Sequence, residues 1–194
     1  CRDHKKWIIS DEVYERITYD RKVAPSFLDI SNDNDLIIVV NSFSKSWAMT
    51  GWRLGWIIMP KGLNKTFEKL NEFNVASPSS PAQYAGITAI KEGEEFIKNM
   101  VNNLNTCREI TLQYLSNFSK VTLPFPEAAF YAYFKIKEVT DSEKFCLETL
   151  NNTGVGLAPG TSFGKGGESW VRICYAKNPD LLNKAFEKLK PVLN

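Results

Sequence analysis

Lys45 stands in the segment NSFSKSWAMTGWRLGW, Asn41 to Trp56, directly after an apolar, β-branched run that begins at Leu36. A lysine at the exit of a buried strand loses part of its water, which favours the free amine and makes it a candidate for Schiff-base formation with a carbonyl. Around it Ser42, Ser44 and Ser46 offer small hydroxyl donors, and Arg53 offers a guanidinium able to pair two oxygens of one anion. That set suits a phosphate ester. The plainer alternative is a polar loop with a solvated lysine.

Two further positions invite chemistry. Asp11 closes the apolar run WIIS, and Tyr14 follows three residues on, in ISDEVYERITY. Both would then face a cleft at the carboxyl edge of a strand, where open α/β sheets bind ligands. Asp11 suits a protonated ring nitrogen and Tyr14 a phenolate oxygen, although such an Asp is usually a cap and such a Tyr usually packs. Arg172 interrupts the apolar run WVRICYA. A half-buried arginine is costly unless it meets an anion, so it calls either for a ligand carboxylate or for an acidic side chain of the chain itself. The preceding GLAPGTSFGKGG is rich in glycine but lacks the spacing of a phosphate loop, and reads as a turn that shapes a cleft.

The elements that must position these residues are legible in outline. WIIS from Trp7, LIIVVNSF from Leu36 and GWIIM from Gly55 are continuous apolar runs, as in strands buried on both faces of a largely parallel sheet. Helical spacing over Pro81–Ile90 and Glu94–Leu115 predicts a long helix or a bent pair. Beyond Ser116 come a strand from Ala128, a helix opened at Asp141 and Ser142, a glycine turn over Gly160–Gly167, the strand from Trp170, and a last helix opened by Asn178 and Pro179. The expected architecture is α/β: a sheet-containing domain over 1–115 and a smaller α+β domain over 116–194.

Bulk composition excludes several function classes. Of 194 residues 43% are hydrophobic, enough for a real core, and 24 basic against 22 acidic residues are interspersed with no basic stripe for nucleic acid. Cys1, Cys107, Cys146 and Cys174 form no CxxC pair and His4 is the only histidine, so no metal site is expected. With no membrane-length apolar run and no signal-peptide pattern, the expectation is a cytoplasmic protein with no membrane partner. The chain opens at Cys1 and reaches a strand within a few residues, which reads as a cut start whose neighbouring strands lie elsewhere.

Six segments in order, SDEVYERITY, SFSKSWAMTGWRLGW, SPSSPAQYAG, PEAAFYAYF, GVGLAPGTSFG and WVRICYA, resemble the class I/II aminotransferases of pyridoxal-phosphate (PLP) fold type I, of the aspartate and aromatic kind. The resemblance covers nearly the whole chain and implies the C-terminal half of that fold. It implies Lys45 as covalent anchor of PLP and general acid/base, Asp11 on the pyridine nitrogen, Tyr14 on the phenolic oxygen, Ser42, Ser44 and Arg53 on the phosphate, and Arg172 on the substrate α-carboxylate. The implied reaction is a ping-pong transfer of an amino group from an amino acid to a 2-oxo acid, in a homodimer. The same motifs also serve PLP lyases and decarboxylases, and a folded but inactive remnant would keep them too. An upstream half, with a phosphate turn, a stacking ring and an NPxNPTG-like motif, is expected outside this chain. In the family a glycine is commoner at the position of Ala128, where a left-handed backbone would crowd a side chain.

Overall fold

A computed structural model describes every residue, Cys1–Asn194. The chain divides into two compact units, Cys1–Met100 and Val101–Asn194.

In the first unit three strands, β1 (Ile8–Asp11), β2 (Ile37–Ser42) and β3 (Gly55–Ile58), form a sheet in the order β1-β2-β3. β1 runs parallel to β2, with Asp11 opposite Val40. β3 runs antiparallel to β2, with Ser42 opposite Gly55. These three strands of the α/β sheet thus hold one parallel and one antiparallel pair. Its strands are not covered on both faces: Ile9 is 71% exposed and Ile58 42%. Continuous apolar runs report what a strand can bury, and these residues leave Ile9 and Ile58, which lie on opposite faces of the sheet, largely open.

A one-turn helix α1 (Phe43–Ser46) follows β2 without a break. After β3 come α2 (Asn64–Asn74), α3 (Ser80–Glu92) and α4 (Glu94–Leu115). Helix α3 opens with the Ser79 side chain accepting from the Ala82 N–H, and it stops at Gly93, so the long helical region is a broken pair. Sequence reading passed over α2; no residue of it is buried and Phe73 is 80% exposed. Phe43, Trp47 and Trp56 pack as a ring cluster with centroids 5.0 to 6.3 Å apart, and the Trp47 indole N–H donates to the Ala89 carbonyl at 2.8 Å. This ties the turn carrying Lys45 to α3.

The second unit contains a four-stranded antiparallel sheet in the order β4-β5-β7-β6, from β4 (Val121–Thr122), β5 (Tyr131–Ile136), β6 (Ala158–Pro159) and β7 (Trp170–Cys174). Period-two alternation sorts its faces. Ala132, Phe134, Ile136, Val171 and Ile173 are all buried, each large apolar side chain contributing about 1.5–3 kcal/mol. Helices α5 (Ser142–Thr153) and α6 (Pro179–Leu193) complete the unit; Asp141 caps α5 by accepting from Lys144 N–H, and Asn178 caps α6. The division between the two compact units falls inside α4. The later turns of α4 bury Leu104, Cys107 and Leu115, and Tyr114 stacks on Phe186 at 5.1 Å. The left-handed residue in the turn before β5 is Ala129, φ 60°, one position beyond Ala128.

Candidate active site

The first unit gathers six of the seven expected site residues at one sheet edge. Asp11 ends β1 and Ser42 ends β2; because these strands are parallel, both lie at the same, carboxyl edge. β3 returns antiparallel, so its beginning lies at that edge as well, and Arg53 precedes it by two residues. The carboxyl edge of a parallel pair is where open α/β sheets place ligands.

At that edge the Asp11 Oδ1 accepts from the Val13 N–H at 3.3 Å, turning the chain sharply so that Tyr14 comes back over the loop. Lys45 Nζ lies over the Tyr14 ring, 5.8 Å from its centre, within the range of a weak cation–π contact. Lys45 is half-buried, and its Nζ takes part in no ion pair or hydrogen bond. Ser44 is held through its N–H, which donates to Ser42 Oγ at 3.0 Å, leaving its own hydroxyl unspent. Arg53 has a left-handed backbone, φ 52°, and spends only an Nη1 donor, on the Thr50 carbonyl at 2.9 Å. Ser42 differs: its hydroxyl caps Ser44 and donates to the Leu54 carbonyl at 3.3 Å. To reach a phosphate it must give up the Leu54 bond.

Arg172 lies in the second unit, in mid-β7, with Tyr133 opposite on one side and Ala158 on the other. It has no acidic partner, so the internal ion pair considered for it does not form. Its guanidinium carbon instead sits 4.2 Å from the centre of the Tyr131 ring and 4.1 Å from that of Phe163. Sequence reading missed both rings. Tyr131 carried a signal, since residues of one parity on paired strands share a face, but nothing local announces Phe163. It also missed Asn41, buried beside the site, whose Oδ1 accepts the Ser42 N–H at 3.0 Å.

No group of three or more His, Cys, Asp or Glu side chains is arranged to hold a metal ion. No helix is long and apolar enough to cross a membrane.

At the carboxyl edge of a small α/β sheet, the half-buried Lys45 thus stands beside the donors of Ser44 and Arg53 and the acceptor Asp11. The family model for aminotransferase class I and II matches residues 1–189, and the chain belongs to that family. It is 34% identical over 196 residues to an aspartate aminotransferase of Pyrococcus horikoshii, covering all of this chain and 50% of that protein. The crystal structure of an aromatic aminotransferase from Pyrococcus horikoshii superposes with a TM-score of 0.92 at 33% identity, covering 99% of this chain and 52% of that one. An aspartate aminotransferase from Thermotoga maritima gives 0.89 at 32% identity, covering 100% of this chain and 49% of that one. The chain thus spans about half the length of the relatives it matches.

Proposed function

We propose that these residues form the lysine-bearing part of a PLP-dependent aminotransferase, a cytoplasmic homodimer in its complete form, which moves an amino group between an amino acid and a 2-oxo acid. The observation that carries this reading is the half-buried, unpaired amine of Lys45 at a sheet edge shared with Asp11, Ser44 and Arg53. The donor set fits PLP: an amine for its aldehyde, hydroxyl and guanidinium donors for its phosphate, and a carboxylate for its ring nitrogen. The names of the relatives support acidic or aromatic amino donors.

When bound, PLP supplies an electron sink for charge developing at the substrate α-carbon. Lys45 Nζ would hold the aldehyde carbon and would carry a proton to and from the substrate α-carbon. Asp11 keeps a proton on the ring nitrogen, and the Tyr14 hydroxyl donates to the phenolic oxygen. Arg53 and Ser44 hold the phosphate, joined by Ser42 when it releases Leu54. Arg172 clamps the substrate carboxylate with two parallel N–H bonds.

The test is an absorbance spectrum of the chain mixed with PLP, borohydride reduction and peptide mapping, and addition of aspartate or phenylalanine to an unreduced sample. Reduced label on Lys45, absent from Lys45→Ala, together with a spectral change on adding the amino acid, is the expected result. Label scattered over surface lysines would sink the proposal for this chain.

A further inference from the structure

We infer that Tyr131 and Phe163 are positioning residues for Arg172, holding its guanidinium in place without neutralising it, so that its N–H donors stay available to a carboxylate. The inference rests on the proposed reading of Arg172 as a carboxylate clamp.

Arg172 sits on the half-exposed face of the second sheet. Residues directly opposite in antiparallel strands share a face, so Tyr133 and Ala158 lie on it with Arg172; Tyr131 and Trp170, two residues along their strands, lie there as well. Ala158 presents only a methyl group, leaving room for the long side chain. Phe163 reaches the guanidinium from the turn Gly160–Phe163 after β6. That turn is pinned by the close approach of the Gly160 and Gly167 backbones, where a Cβ on either glycine would overlap the other's main chain. Tyr133 braces it, edge-on to Phe163 at 5.9 Å and stacked on Trp170 at 5.0 Å.

Two ways exist to hold a half-buried arginine still. An acidic neighbour does so by occupying the in-plane N–H groups, which then cannot serve a ligand. Aromatic faces attract the cation through their quadrupoles and touch the guanidinium carbon, leaving the N–H fork unspent. Here the second arrangement is present, with both centroids within 4.2 Å, and the first is absent. A guanidinium ordered before the ligand arrives loses less entropy on binding.

The experiment uses the full chain and the side-chain NMR signal of Arg172. Order at Arg172 Nε–H is compared among the unmodified chain, Tyr131→Leu, Phe163→Leu, the double Leu variant, and the ring-conserving Tyr131→Phe and Phe163→Tyr. Acetate is then titrated, with acetamide as the uncharged control and Arg172→Met as the blank. The expected result is an ordered guanidinium in the unmodified and ring-conserving proteins, a mobile one in the Leu variants, and acetate binding weaker by about three- to tenfold without the rings. Unchanged order or unchanged acetate affinity in the double Leu variant overturns the inference. If acetate leaves Arg172 untouched in the unmodified chain, the clamp reading falls instead, and the order measurement still decides the role of the rings. Phe163 is 47% exposed, so should Tyr131→Leu fail to fold, Phe163→Leu and its rescue by Phe163→Tyr decide alone.

Discussion

Ser42 and Gly55 face each other across the antiparallel pair β2–β3, so the loop carrying Lys45 leaves the sheet and rejoins it at one point. A Cβ on Gly55 would stand 2.6 Å from the Asn41 carbonyl oxygen. That obstacle is main chain in a paired strand, which cannot swing aside. Gly55→Ala is expected to lower the unfolding free energy by roughly 1–3 kcal/mol. Urea denaturation checks it through the midpoint at unchanged slope; a midpoint equal to that of the parent chain would refute the close approach.

The neighbouring serines should separate by role. Ser42 Oγ caps α1 and bonds the Leu54 carbonyl, so Ser42→Ala is expected to cost about 0.5–2 kcal/mol of stability. Ser44 spends no hydroxyl within the chain, so Ser44→Ala should leave the midpoint nearly unchanged and weaken retention of PLP. Measuring both quantities on both variants checks the division; a loss of stability in Ser44→Ala larger than in Ser42→Ala would contradict it.

Ala129 holds a left-handed backbone at φ 60°, which costs a residue with a Cβ about 1–2 kcal/mol. Ala129→Gly removes that strain and returns part of it as greater freedom of the unfolded chain. A net gain of roughly 0.5–1 kcal/mol is expected. Thermal unfolding of the variant gives the sign directly, and a lower midpoint would show that the turn is not strained.

Burial pushes the Cys146 thiol up from an ordinary value of 9.0 to about 11. Below pH 9.0 folded and unfolded chains both keep the proton, and the contribution of this group to stability is fully present. Above it the unfolded chain gives up its proton first, binds fewer protons than the folded one, and stability falls as pH rises through about 11. Cys146→Ala should flatten that alkaline decline in denaturation midpoints; an identical decline would refute the assignment. In mild alkylation the exposed Cys1 and Cys174 should react, with the buried Cys107 and Cys146 following only on unfolding.

Legibility followed the range of the interactions. Asp141 and Asn178 announce α5 and α6 because a cap acts within three residues, and WVRICYA and AAFYAYFKI alternate because a strand sorts its neighbours by parity. Helix α2 carries Phe67 and Leu70 at helical spacing after Leu63, yet buries no residue, so its apolar stripe has no partner in these residues. β1 and β3 are apolar along their length while Ile9 and Ile58 stay exposed in these residues: an apolar run describes the strand, while its cover belongs to other elements.

The sequence by itself determined the chemistry on offer: a lysine at a strand exit, hydroxyls and an arginine for an anion, and an aspartate closing another strand, all read from residue type and short spacing. Only the tertiary structure decided what those groups meet. The antiparallel return of β3 put Arg53 at the edge that Asp11 and Ser42 share, Leu54 took the Ser42 hydroxyl, and Tyr131 and Phe163 took the place an acidic partner of Arg172 would have filled. The reason is physical: residue type sets which bonds a side chain can make, whereas strand direction and packing between residues far apart in the chain set which partner is within reach.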